Sequence, residues 1–174
     1  MSLKIFLTQK KFDLLITSGG VSRGKYDVVK SALQKVGLKI LFERVAIKPG
    51  KPMAIAKYNK TLIFCLPGNP VAAFICALII LRPSLGKIGG EDTWFKPLSF
   101  KTKANFKKFK RAGRTEFLRA RFNQKDGLVS IYPHEGSGRL SSMSWSNGLI
   151  QLSETEQCIK AGDLVNFIPY QSFF

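Results

Sequence analysis

Apolar and polar positions along the first part of the chain predict alternating strands and helices. The run from Asp13 to Thr17 has the short apolar pattern of a buried strand and stops at a glycine-rich turn. Apolar residues then recur at helical spacing from Val28 to Val36, and Gly37 is placed to end that helix. The pattern therefore predicts a strand–turn–helix unit, which is the building block of an α/β domain.

Three more strands and a second helix are predicted downstream. Leu38 to Ile47 is rich in β-branched and large apolar residues, while Met53–Tyr58 and Thr61–Leu66 form a hairpin pattern across a two-residue turn. Asn69-Pro70 is a helix start, because an N-cap side chain is followed by proline in the first turn. That helix is predicted to run to about Ile80.

The pattern changes after Gly90 to short strands separated by polar turns, with no helix evident. Alternating apolar and polar residues predict strands at 100–104, 117–122, 128–132 and 164–168. Several short strands so close together predict a small barrel or sandwich. The predicted fold class is therefore a partial, doubly wound α/β domain (residues 1–90) followed by a small all-β barrel domain (residues 91–174).

The α/β domain is expected to be incomplete. A doubly wound sheet is built from several βα units, whereas this chain reaches its glycine-rich turn after a single strand. Missing upstream chain is the simplest account, so the sequence is interpreted as the C-terminal part of a longer protein.

A cytoplasmic location is predicted, with no membrane-spanning segment. The longest apolar run, Val71–Leu81, is about half of the roughly 20 residues that cross a bilayer, and no signal peptide is evident. The three cysteines, Cys65, Cys76 and Cys158, are odd in number and widely spaced, which favours free, reduced thiols. With one histidine, His134, and no close cysteine pair, no zinc site is expected.

The formal net charge of +17 favours anionic partners. Residues 1–90 carry 15 Lys+Arg against 3 Asp+Glu, and residues 91–174 carry 13 against 8, so most of the excess lies in the α/β domain. Phosphates, oxyanions, nucleic acid and acidic proteins all fit this charge, and the charge alone does not choose among them.

Three turns are the candidate ligand-binding segments, because each follows a predicted strand and carries glycine. They are Ser18-Gly19-Gly20-Val21-Ser22, Lys48-Pro49-Gly50-Lys51-Pro52 and Leu66-Pro67-Gly68-Asn69-Pro70. In open α/β sheets ligands lie beyond the carboxyl ends of strands, where glycine lets backbone N–H groups approach an anion. We expect the three turns to converge in a positively charged cradle beside Asp27.

Each of these features also has a structural interpretation. Ser-Gly-Gly is a common turn, Lys-Pro-Gly-Lys is compatible with an ordinary β-turn, and Pro-Gly-Asn-Pro with a helix entry. Asp27 alone is more often a helix cap than a metal ligand, although a carboxylate among lysines stays ionised and could bind magnesium. It is their combination at strand ends that favours an anion site.

The order of motifs along the chain resembles that of the molybdopterin molybdenumtransferases, the bacterial MoeA family that is also seen in the E domain of gephyrin. The motifs that carry the resemblance are Thr17-Ser18-Gly19-Gly20-Val21-Ser22, Gly24-Lys25-Tyr26-Asp27, Val45-Ala46-Ile47-Lys48-Pro49-Gly50-Lys51-Pro52 and Leu66-Pro67-Gly68-Asn69-Pro70-Val71. A weaker likeness to the family's C-terminal barrel continues through Arg114-Thr115-Glu116-Phe117, Gly136-Ser137-Gly138 with Ser141-Ser142, Asn147-Gly148-Leu149-Ile150 and Gly162-Asp163.

The resemblance implies a molybdopterin-binding-like α/β domain and a reaction in which molybdate is inserted into adenylated molybdopterin, with magnesium assisting and AMP released. It places Asp27 at the metal or molybdate, and Arg44, Lys48 and Lys51 at basic positions of the site. The remaining positions would line the pterin and phosphate pocket; they are Ser18, Gly19, Gly20, Ser22, Pro67, Gly68, Asn69 and Pro70.

The resemblance also implies a homodimeric parent protein whose site forms between two subunits, so this chain alone is expected to have little turnover. Ala72 stands where many members have serine, and Arg23 replaces a usually apolar residue. Two alternatives stay open: a non-catalytic fragment that binds an anion or pterin, and a basic nucleic-acid-binding module at Lys107–Arg111, with Phe106 and Phe109 interleaved. The absence of a recognised nucleic-acid motif favours no nucleic-acid partner.

Overall fold

A computed structural model describes residues 12–21, 37–91, 96–134 and 138–174. The chain divides into two compact units, of which the first comprises Met1–Val45 and Gly50–Gly90, and the second Ala46–Pro49 and Glu91–Phe174. The second unit therefore contains a short segment, Ala46–Pro49, taken from within the first half of the chain. The helix predicted over Val28–Val36 lies outside the described residues.

The first unit contains a four-stranded sheet. The strands in this part of the chain are β1 (Leu14–Ser18), β2 (Lys39–Glu43), β3 (Ile47–Lys48), β4 (Ala54–Tyr58) and β5 (Thr61–Leu66). All except β3 join in the order β1-β5-β4-β2, with β1 parallel to β5 and the other two pairs antiparallel. The predicted hairpin is confirmed as β4 and β5.

One predicted strand is divided in two. The strand predicted over Leu38–Ile47 ends at Glu43, because Arg44 has a φ of 65°, outside the extended region. Ile47 and Lys48 then form β3, which pairs with a strand of the second unit. Apolar content indicated extended chain here, but it did not reveal that the two parts pair with different sheets.

The predicted helix start is confirmed. Helix α1 (Pro70–Cys76) begins at Pro70 and has Asn69 as its N-cap, whose side-chain oxygen accepts a hydrogen bond of 3.1 Å from the Ala72 amide. The predicted end at about Ile80 is wrong, because the chain continues through a π-helical turn (Ala77–Leu81) into α2 (Arg82–Ile88). Pro83 has no N–H to donate to the preceding turn, and a wider turn accommodates it.

The continuous helical segment Pro70–Ile88 is 19 residues long, with a mean hydropathy of 1.8 over its most apolar window. By length and composition alone it could cross a membrane, which the shorter apolar run in the sequence did not indicate. Within the unit, however, Val71, Ile75 and Cys76 of this segment are completely buried. Burial in the core accounts for these residues. In the window as a whole 39% is buried, and Leu85 and Ile88 of the same segment are exposed.

The second unit is a small closed barrel, as predicted. Its elements are β6 (Phe100–Ala104), β7 (Lys108–Lys110), β8 (Thr115–Asn123), β9 (Leu128–Ile131), α3 (Ser141–Trp145), β10 (Gly148–Leu152), β11 (Gln157–Ile159), β12 (Leu164–Pro169) and a 3-10 turn (Tyr170–Phe173). The strand order is β10-β12-β6-β9-β8, and β8 pairs back with β10 to close the barrel. Strand β3 adds to β8 in parallel, while β7 and β11 form a separate ribbon.

Helix α3 was not expected, since no helix was predicted after Gly90. It is five residues long and rich in serine, so it has no helical periodicity to detect. Tertiary contacts hold it instead: the buried Arg119 donates from Nε to Ser142 Oγ at 3.1 Å, and the Ser146 and Tyr170 hydroxyls lie 2.7 Å apart.

The basic stretch Lys107–Arg111 contains strand β7 and does not direct all of its charges to solvent. Lys110 is buried, and its Nζ donates to the carbonyl oxygens of Arg111 and Thr155 at 3.1 and 3.2 Å. Phe106 packs against the barrel core, which leaves Phe109 as the exposed aromatic residue of the stretch. Because a charge and a ring point inward, this stretch does not favour the nucleic-acid alternative.

Candidate anion-binding site

The strand register of the first unit brings several chain segments to one edge of its sheet. Ser18, the last residue of β1, is opposite Leu66, the last residue of β5. Ala54, the first residue of β4, is opposite both Cys65 and Glu43, near the ends of β5 and β2. The segments that follow β1, β2 and β5, and the one that precedes β4, therefore all meet here. We call this the strand-end edge; it comprises Ser18–Gly20, Arg44, Lys51 and Pro67–Asn69.

Two glycine turns are in direct contact at the strand-end edge. The Gly19 amide donates to the Leu66 carbonyl at 3.0 Å. A Cβ added to Gly68 would lie only 3.3 Å from the Cα of Gly19, and Gly19 and Gly20 have φ angles of +86° and +69°. Side chains at these positions would separate the turns or strain the backbone, so glycine is what permits the close approach.

Two exposed basic residues lie at the same edge. The Arg44 amide donates to the Met53 carbonyl at 3.0 Å, and the Val45 amide donates to the Lys51 carbonyl at 3.2 Å. Both hydrogen bonds join main-chain atoms. They fix the backbone at Arg44 and Lys51 and do not occupy the two side chains. Both residues therefore add positive charge to the strand-end edge.

Asn69 caps a helix, a structural role that the sequence motif alone could not separate from ligand binding. Its side-chain oxygen is occupied as the N-cap of α1. Pro67 is buried and Gly68 is exposed, so Gly68 is the part of this turn that solvent reaches. The amide of Asn69 is better explained by helix capping than by contact with a ligand.

Lys48 belongs to the second unit. Its Nζ forms a 3.1 Å ion pair with the Oε1 of Glu116, whose side chain is 10% exposed against 53% for Lys48. Sequence reasoning included Glu116 only within a family-like motif and assigned it no role. The register of β3 with β8, which pairs Lys48 with Glu116, is a tertiary feature that no local pattern encodes.

Ser22 and Asp27, the remaining predicted site residues, lie outside the described residues. Within residues 12–21, 37–91, 96–134 and 138–174 there is no group of three or more His, Cys, Asp or Glu side chains that could hold a metal ion. The magnesium prediction therefore rests on Asp27.

The three thiols are free and have different environments. Cys65 and Cys76 are buried and Cys158 is exposed. Burial raises the pKa of the Cys65 thiol, and it raises the pKa of the Cys76 thiol to about 12. A buried thiol cannot readily form the thiolate that reacts with disulfide reagents.

We therefore predict that a disulfide reagent modifies Cys158 rapidly in the folded protein, and Cys65 and Cys76 only after unfolding.

The stability of the protein should also depend on pH through Cys76. Because the unfolded Cys76 thiol ionises near pH 9 and the folded one near 12, its stabilising contribution is complete below pH 9 and is lost between about pH 9 and 12. Chemical denaturation at pH 8 and 10.5 should show a loss of stability about 2 kcal/mol smaller in Cys76→Ala than in the unmodified chain. Equal losses in Cys76→Ala and the Cys158→Ser control would contradict this.

Two family profiles match separate parts of the chain. Residues 2–87 match a domain described as a "probable molybdopterin binding domain". Residues 101–170 match the MoeA C-terminal region, domain IV. The chain belongs to the MoeA family. Together the two matches cover both the α/β part and the barrel part of this sequence.

Relatives of known name support the assignment to the MoeA family. The molybdopterin molybdenumtransferase of Haemophilus influenzae is 36% identical over 165 residues, covering 93% of this chain and 41% of that protein. The molybdenum cofactor synthesis protein cinnamon of Drosophila melanogaster is 36% identical, covering 87% of this chain and 26% of that protein. The chain thus spans less than half the length of these curated relatives.

Solved structures agree on the fold. The MoeA molybdopterin biosynthesis protein from Pyrococcus horikosii superposes with a TM-score of 0.77 at 24% identity, covering 97% of this chain and 40% of that one. A molybdenum cofactor biosynthesis protein from Pyrococcus furiosus gives a TM-score of 0.68 at 21% identity, covering 92% of this chain and 69% of that one. The MoeA fold predicted from the motifs, an α/β part followed by a small barrel, is confirmed.

Proposed function

We propose that this chain acts in molybdenum cofactor biosynthesis, in the insertion of molybdate into adenylated molybdopterin with release of AMP. Membership of the MoeA family supports the reaction class, and the relatives named above include molybdopterin molybdenumtransferases. The observation that carries the proposal is the strand register of the first unit, which collects two touching glycine turns and two basic side chains at one edge.

The chemistry of this edge suits anions. Molybdate and the phosphates of an adenylated pterin are all negatively charged, so bringing them together requires compensating positive charge. Arg44 and Lys51 supply that charge, and Arg44 can bind an oxyanion through two parallel N–H donors. The main chain around Gly19 and Gly68 allows a phosphate to approach without obstruction by side chains. We assign Lys48 a similar anion-binding role.

The described residues at this edge supply donors to anions and not ligands to a hard cation such as magnesium. Oxygen ligands for magnesium would have to come from Asp27 or from residues beyond those described. A cytoplasmic location and a homodimeric parent protein complete the proposal, together with little turnover by this chain alone.

The proposal predicts that Arg44→Met and Lys51→Met each weaken the binding of molybdate and of AMP. The expected loss is about ten-fold at low ionic strength, because one charge next to an anion near a protein surface contributes a few kcal/mol at most. Isothermal titration calorimetry of the purified chain with each ligand would measure it.

Lys57→Met is the matched control, because Lys57 is exposed near the other end of β4 and pairs with Leu62 and Lys39. It should leave both affinities within about two-fold. Equal losses in all three variants would indicate diffuse charge attraction, and unchanged affinity in the first two would refute the assignment. Binding of both ligands with little insertion of molybdate is the result that the proposal expects of this chain alone.

A further inference from the structure

A buried carboxylate of the barrel contacts the lysine of the Pro-Gly turn. Glu116 lies on β8 directly opposite Lys48 on β3, and the ion pair between them is 3.1 Å long. The side chain of Glu116 is 10% exposed, whereas that of Lys48 is 53% exposed. The carboxylate is therefore part of the barrel wall, and the lysine side chain extends from it toward solvent.

The main chain of the same segment is also held by β8. The Thr115 amide donates to the Ala46 carbonyl at 3.0 Å, and Arg114 Nη1 lies 3.3 Å from the Ile47 carbonyl oxygen. Strand β3 has two residues, too few to be ordered by their own local preferences. Its conformation thus depends on β8, first through the backbone and then through the Lys48 side chain.

The geometry leaves Lys48 able to bind an anion while it is held. An ammonium group has three N–H donors, and one contact with Glu116 leaves the others available. A free lysine side chain loses considerable rotamer freedom when it is immobilised by a ligand. A lysine that is already held in the unliganded protein loses less of that freedom on binding, which favours affinity.

We propose that Glu116 is a positioning residue that fixes the Lys48 ammonium group in advance for binding of an oxyanion or phosphate. This rests on the proposed function, since it assumes that Lys48 contacts such an anion. A carboxylate that only neutralised Lys48 would have the opposite effect, because removing it would strengthen the attraction for anions. The sign of the change therefore distinguishes positioning from neutralisation.

The test compares Glu116→Gln, Glu116→Asp, Lys48→Met and the double variant Glu116→Gln/Lys48→Met, using molybdate and AMP as probes in titration calorimetry. Glu116→Gln removes the charge, and Glu116→Asp keeps it but shortens its reach. Both are expected to weaken affinity about three- to ten-fold, the range that immobilising one flexible side chain represents. In the Lys48→Met background, Glu116→Gln should cause no further loss, because Glu116 acts through Lys48.

Glu154→Gln is the matched control, since Glu154 Oε2 accepts from the Thr115 hydroxyl at 3.4 Å and is exposed, so it removes a charge beside the same strand. It should leave affinity unchanged. Equal or tighter binding by both Glu116 variants would overturn the inference, as would the same fold-loss in the Lys48→Met background. If Lys48→Met alone binds like the unmodified chain, the assignment of Lys48 in the proposed function fails first. Should Glu116→Gln not fold, the Glu116→Asp comparison decides.

Discussion

Replacing Gly148 by alanine is expected to lower the free energy of unfolding of the barrel by about 3 kcal/mol or more, the upper range for overpacking a core. Gly148 lies at the start of β10, between Ala120 of β8 and Pro169 of β12. An added Cβ would collide with the ring of Phe167 and lie 2.5 Å from the Ile168 carbonyl oxygen. Neither can move easily, because Phe167 is 2% exposed and Ile168 is in a strand.

Urea denaturation followed by tryptophan fluorescence would measure this change. Gly138→Ala is the control, because a Cβ at Gly138 meets no heavy atom within 4 Å and the residue has no positive φ. It should change stability by less than about 0.5 kcal/mol. A Gly148→Ala variant as stable as Gly138→Ala would show that β10 is not held between β8 and β12 as described.

The second large effect is expected from Gly68→Val, which should weaken molybdate and AMP binding more than ten-fold. A Cβ at Gly68 already approaches the Gly19 Cα to 3.3 Å, and the branched methyl groups of valine have no room between the turns. Separating the turns would break the hydrogen bond from the Gly19 amide to Leu66 and displace the backbone proposed to receive the phosphate. Destabilisation of about 1–3 kcal/mol should accompany it.

A graded comparison gives the control for Gly68→Val. Gly68→Ala adds only the Cβ, so it should cause a smaller loss of affinity than valine, with secondary structure retained in circular dichroism. Titration calorimetry at a temperature well below the unfolding transition separates binding from stability. If valine and alanine bind both ligands like the unmodified chain, the contact between the glycine turns has no part in ligand binding.

The charge and the motifs contributed differently to the functional conclusion. A net charge of +17 indicated an anionic partner but left nucleic acid, oxyanions and acidic proteins open. The ordered motifs reduced the possible identities of the protein to one family. Each motif combines glycine or proline, which permit an unusual backbone conformation, with polar or charged residues at the end of a strand. The structure of the barrel does not favour the nucleic-acid alternative, because the buried Lys110 interrupts the exposed positive charge of Lys107–Arg111.

Local sequence determined those elements whose signals lie within a few residues. The β4–β5 hairpin follows from two apolar runs across Asn59-Lys60, and Asn59 has the positive φ of 53° that such a turn requires. The start of α1 follows from Asn69-Pro70, because capping and a fixed proline φ act inside one turn. The alternating residues of β6 and β12 likewise sufficed to predict strands of a small barrel.

Only the tertiary structure decided which strands pair and therefore which side chains meet. Strand β2 ends at Glu43, and Ile47–Lys48 pairs with a strand of another sheet. The apolar pattern runs through both segments, because burying apolar side chains is favourable in either sheet. Helix α3 forms where Arg119 contacts Ser142, a residue 23 positions away along the chain. The Lys48–Glu116 ion pair joins residues 68 positions apart for the same reason: pairing register is set by packing of the whole unit, which no short segment contains.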